Sequence, residues 1–186
     1  MRLSTIVLTS AVVVLASAAF ALQRGQQAPT VEGKAAPAFS AKGTDGKSYS
    51  LNNVAKAPMV MVFWKNPCPH NPKASKLVNS IVDAYKGKVN IVGVVNAEGA
   101  DAKAFQKEFG PNYPFLQDGD KSIIKDYKMS KSIQFVVIGK DKKVETVIGG
   151  YSQASMKKLN AAMAKAAGMK EASLDFSAAP TKTTYG

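Results

Sequence analysis

The chain has 186 residues, 25 Lys+Arg against 13 Asp+Glu, a formal net charge of +12, and one cysteine. A single cysteine excludes an intramolecular disulfide, and in an exported chain it points to a reactive thiol or to intermolecular pairing. The cations are scattered, nearly all lysine, and do not alternate with aromatic residues, so they read as a solvated surface rather than a nucleic-acid interface.

Residues 1–21 have the pattern of a secretory signal peptide. Arg2 gives the positive start, residues 6–20 the apolar centre, and Ala19-Phe20-Ala21 the small-x-small cleavage pattern. The expectation is an exported protein, periplasmic or extracellular, with no stable membrane span after cleavage. Residues 22–32 are rich in Gln, Gly and small side chains and read as an N-terminal tether, and a folded domain is expected over 33–168. Residues 38–42 and 48–51 flank Asp45-Gly46, a hairpin signal. Residues 59–64 are continuously apolar, which fits a central strand covered on both faces.

Residues 73–85 place Leu77, Val78, Ile81, Val82 and Tyr85 on one stripe of a helix that Gly87 ends. A buried strand follows over 89–95, then a helix over 100–109 stopped by Gly110-Pro111, and a short strand over 115–117. A short helix over 121–127 precedes a second hairpin, 135–138 with 144–148. The last helix, 152–167, can be capped by Ser152 and closed by Gly168. Residues 169–186 are polar and rich in Ser, Thr and Pro, and are expected to be a disordered C-terminal tail. This order predicts an α/β sandwich with a mixed central sheet, helices on both faces and an N-terminal hairpin. Its early βαβ units cross over right-handed.

The cysteine lies in Phe63-Trp64-Lys65-Asn66-Pro67-Cys68-Pro69-His70-Asn71, between the apolar strand and the amphipathic helix. Backbone N–H groups at a helix start favour an anion, and the thiolate is the reactive form of cysteine. Two helix starts are compatible with the residues. Pro69 can be the first helical residue, or Asn71 can cap a helix whose first residue is Pro72, leaving Cys68 farther from the dipole. His70 stands close enough to tune the thiol. Trp64 is expected to pack against the site. Cys68 and His70 together fall short of a metal-ligand set, and no cofactor is called for.

The span from about Gly33 to Gly168 resembles the thioredoxin-like superfamily, in its redoxin or alkyl hydroperoxide reductase/thiol-specific antioxidant branch. Gly33-Lys34-Ala35-Ala36-Pro37-Ala38-Phe39 is similar to that group's opening. Asp45-Gly46-Lys47, Phe63-Trp64 before Cys68-Pro69, Tyr113-Pro114-Phe115, and Gly149-Gly150-Tyr151 follow in the group's order. The resemblance implies a three-layer thioredoxin-like sandwich, with Cys68 and His70 as catalytic residues and Trp64, Pro69 and Asn71 as supporting ones. Related exported disulfide oxidases carry Cys-Pro-His-Cys. Here Asn71 stands at the resolving position, so dithiol cycling within one chain is excluded.

The group also has a cis-proline facing the thiol, and none occurs at 131–134. Its peroxidases carry Thr or Ser three residues before the cysteine and an Arg beside it. Here Lys65 takes the first place and the domain holds no Arg. The implied activity is therefore monothiol chemistry on a disulfide-bearing protein or a peroxide, with regeneration by an external thiol. The alternative is a non-catalytic binding module on the same scaffold.

Overall fold

The computed structural model describes residues 30–186, so the expected signal peptide and most of the tether lie outside the described residues. The strands are β1 (Ser40–Lys42), β2 (Ser48–Ser50), β3 (Met59–Trp64), β4 (Asn90–Val95), β5 (Phe115–Gln117), β6 (Gln134–Ile138) and β7 (Val144–Gly149). The helices are α1 (Leu51–Val54), α2 (Asn71–Ala84), α3 (Gly99–Phe109), α4 (Ser122–Asp126) and α5 (Gln153–Ala167).

Five strands form one mixed sheet in the order β5-β4-β3-β6-β7, and β1 pairs with β2 as a separate hairpin. β3 is central. It runs parallel to β4 and antiparallel to β6. All six of its residues are buried, as its unbroken apolar sequence requires.

The pleat divides β3 between two cores. Val60, Val62 and Trp64 face one core, shared with Val78 and Ile81 of α2, Phe105 of α3, and Met156 and Leu159 of α5. Met59, Met61 and Phe63 face the other, shared with Phe39, Leu51, Ile123 and Tyr127. Burying each such side chain contributes about 1.5–3 kcal/mol relative to exposure, so the two methionines of β3 are core residues. The layers are thus α2, α3 and α5, then the sheet, then the hairpin with α1 and α4. This is the thioredoxin-like α/β arrangement that the resemblance implies. Among the described residues no helix is long and apolar enough to cross a membrane.

The folded unit differs from the sequence expectation at both ends. It begins at Val31, which is buried, and Gly33 and Ala36 donate backbone hydrogen bonds to Val144 and Lys142. Residues 169–186, expected to be disordered, lie along the domain. Phe176 and Ala179 are buried in the α2/α5 core. The Ala172 N–H bonds the Tyr85 hydroxyl at 2.8 Å, and the Asn160 amide donates to the Ala172 carbonyl at 3.0 Å. A few apolar anchors with satisfied backbone groups hold a segment whose overall composition is polar.

Candidate functional site

β3 delivers the site by ending abruptly. Beyond Trp64 the chain leaves the sheet, and three polar side chains from other elements hold the turn. The Lys65 N–H donates to Ser132 Oγ at 3.2 Å, and the Asn66 N–H donates to Asn96 Oδ1 at 2.7 Å. Asn96 Nδ2 returns a bond to the Asn66 carbonyl at 3.0 Å, and Asn71 Nδ2 donates to the Lys65 carbonyl at 3.0 Å. The backbone polar groups of Lys65 and Asn66 are therefore matched although they lie outside the ladder. The Asn66–Pro67 and Ser132–Ile133 peptide bonds are both cis. The second occupies the stretch where the resemblance implies a cis-proline, with isoleucine in proline's place.

The helix start resolves between the two openings. His70 is the N-cap of α2, and Pro72 sits in the first turn, where a missing N–H costs nothing. His70 makes no side-chain capping bond. Cys68 therefore lies two residues before the cap rather than inside the helix. The Asn71 N–H donates to the Cys68 carbonyl at 3.2 Å, which folds the turn back onto the helix start. Cys68 is 8% exposed, yet it belongs to neither hydrophobic core cluster. What covers it is the chain's own Gly186. A Cβ built on that glycine would overlap Cys68 Sγ.

The other expected site residues separate by role. Pro69 is exposed and His70 half-buried, both beside Cys68 in the turn. Asn71 is 2% exposed and is spent on the Lys65 carbonyl, so it fixes the turn. Trp64 is buried between Phe105 and Phe115, with ring centroids 6.1 and 6.5 Å away. It props the end of β3 from the core side. Lys65 is exposed. It lines a cavity of about 130 Å³ with Lys121, Lys131, Asn96, Ile124 and Met129, beside Ser132.

Sequence reasoning missed Ser132, Asn96 and Gly186. Gly186 acts through backbone atoms, which leave no mark in residue type, and Ser132 Oγ meets a turn 67 positions away in sequence. Asn96 directly follows β4, a place where a polar side chain reads as ordinary strand termination.

Comparison with known proteins bears on the family and the fold. A model of the AhpC/TSA family matches residues 32–147. A chloroplastic peroxiredoxin Q of Suaeda salsa is 29% identical over 100 residues, 52% of this chain and 46% of that protein, so the chain spans about half the length of that relative. The thiol-disulfide oxidoreductase ResA of Bacillus subtilis is 28% identical over 127 residues, 67% of this chain and 71% of that protein. Among solved structures, the peroxidoxin BcpB of Mycobacterium tuberculosis superposes with a TM-score of 0.63 at 18% identity, covering 76% of this chain and 99% of that one. A secreted disulfide oxidoreductase of the same organism gives 0.59 at 21% identity, covering 68% and 95%. These structural likenesses carry the fold.

Proposed function

The chain belongs to the AhpC/TSA family, and from that premise we propose that it is an exported thiol oxidoreductase working through Cys68 alone. The observation that supports this most is the placement of the sulfur. It stands outside both cores, at the end of the central strand and just before a helix start. A cysteine kept only for packing would join one of the clusters.

The chemistry needs no second cysteine. The Cys68 thiolate attacks one sulfur of a disulfide R–S–S–R′. A Cys68–S–S–R bond forms, the original S–S bond breaks, and R′–S⁻ leaves and takes up a proton. An external thiol then attacks the R sulfur, releasing Cys68 as thiolate and forming a new external disulfide. With a peroxide ROOH, the thiolate takes the distal oxygen to give Cys68–SOH, and RO⁻ leaves as the alcohol. Two external thiols then return Cys68 to the thiol, with one water and one disulfide as products. Disulfide exchange is the reading preferred here, because Lys65 and the Arg-free domain lack the peroxidase side chains that the resemblance implies. His70, next to the thiol in the turn, is assigned to tuning it, and Pro69 to shaping the approach.

A specific observation favours the binding-module alternative. Asn71, at the resolving position, is buried and committed to the backbone. The two readings separate on intact mass after exposure to a small disulfide and to hydrogen peroxide. The thiol reading expects an adduct that an external thiol removes, absent from Cys68→Ser. The binding reading expects no adduct and partner binding unchanged by Cys68→Ser.

A further inference from the structure

The last four residues do more than lie on the surface. The Tyr151 N–H donates to the Thr184 carbonyl at 2.9 Å and the Thr184 N–H returns to the Tyr151 carbonyl at 3.0 Å, one antiparallel rung. Two residues on, the Gly186 N–H donates to the Ser132 carbonyl at 2.7 Å and the Ser132 N–H donates to the Gly186 carbonyl at 3.3 Å. Residues 184 and 186 thus form a two-rung ladder on backbone groups just beyond β7 and β6. That ladder carries Gly186 onto Cys68 Sγ.

We propose that residues 181–186 are an autoinhibitory strap. The strap closes the Cys68 thiol in the resting chain, and whatever reaches the sulfur along this edge must first displace it. For the identity of the site this rests on the thiol reading, but closure itself does not require turnover.

Two features divide the segment into a fixed base and a releasable tip. The base, around Ala172 to Pro180, is tied by Phe176 and Ala179 in the core and by the Pro180 carbonyl, which accepts the Gln153 N–H at 2.9 Å. The tip puts no side chain into either core and holds on by that ladder and two side-chain contacts. Thr183 Oγ1 donates to Ser152 Oγ at 3.1 Å, and Lys131 Nζ stands 4.6 Å from the centre of the Tyr185 ring, itself 42% exposed. Local opening draws on segments with few buried apolar contacts. The glycine is specific to the closed position, because any side chain at 186 meets the sulfur.

The test is the second-order rate of Cys68 alkylation by iodoacetamide in the full chain, against Gly186→Val and Thr184→Pro. The first variant cannot seat over Sγ, and the second lacks the N–H that bonds Tyr151. Reactivity follows the open fraction, so both variants should react about tenfold faster or more, with melting temperatures close to wild type. The native wild type should also react more slowly than the same chain unfolded in urea. Equal rates in wild type and both folded variants overturn the strap. If either variant fails to fold, the wild-type comparison decides, and a native rate equal to the unfolded rate overturns it. Alkylation reads access and the adduct experiment reads exchange. A strap that opens onto a sulfur inert to disulfides would therefore sink the thiol reading and leave the strap standing.

Discussion

Asn71 stands where the resemblance implies a second cysteine, and its side-chain amide ties the helix to the turn at Lys65. Removing a partner from a buried hydrogen bond costs about 1–3 kcal/mol, so Asn71→Ala should lower stability by that much in urea titration. Tyr85 has a comparable role far from the thiol. Its hydroxyl donates to Asn160 Oδ1 at 2.8 Å and accepts the Ala172 N–H, joining α2, α5 and the base of the C-terminal segment. Tyr85→Phe is expected to lose about 1–3 kcal/mol as well. It should also raise proteolytic cleavage after residue 169; unchanged cleavage would show that the base does not depend on this hydroxyl. The sequence put Cys68, Pro69 and His70 between a strand ending near Trp64 and a helix starting near Asn71, because a strand, a proline-rich break and an amphipathic stripe are all written in residue types. It did not disclose that Ser132 would meet this turn, since that pairing joins residues 67 positions apart.

At the scale of elements, the hydrophobic period carried most of the information. The unbroken run of β3 is found at 59–64 as its sequence predicts, and the stripe of α2 lies within a helix whose ends are displaced by two residues and one. Caps were legible too. Ser152 Oγ accepts the Ser155 N–H at 3.1 Å, and Gly168 closes α5 at φ 65°, a conformation that favours glycine. Ser152→Ala should cost about 1 kcal/mol, checked by thermal or urea unfolding. Gly93 on β4 illustrates what a period cannot reveal. Its Cα faces the Phe115 ring so closely that a Cβ would stand 2.6 Å from a ring carbon. Gly93→Val is expected to cost about 1–3 kcal/mol or more by overpacking, and a variant as stable as wild type would mean that β5 yields freely. The C-terminal segment was illegible because its anchors, Phe176 and Ala179, follow no helical or strand period.

Across the whole molecule, the two cores on either side of β3 set both stability and its pH limits. Burial holds the Tyr113 phenol well above its ordinary value of 10.0, and burial followed by the nearby Asp126 charge does the same for Tyr127. Tyr49 is pushed up to about 12 by desolvation and by its hydrogen bond to Asp45. A folded-state pKa raised above the unfolded one contributes stability that is complete below pH 10. That contribution is lost as pH climbs through the folded value. Urea midpoints should therefore be flat with respect to these groups up to about pH 10 and fall steadily toward pH 12. Tyrosinate absorbance from the buried phenols should appear only together with unfolding. Phenols that titrate freely in the folded protein would contradict the burial described for them.

The account turns on Cys68 being a thiol that exchanges, kept outside the cores and under residues 184–186. The most direct measurement is intact mass of wild type, Gly186→Val and Cys68→Ser during reaction with a small symmetrical disulfide, followed by addition of an external thiol. The account predicts one mixed-disulfide adduct per chain, formed faster in Gly186→Val than in wild type, absent from Cys68→Ser and fully reversed by the thiol. A folded Gly186→Val chain that never acquires the adduct, although its Cys68 is free and alkylates, would contradict it.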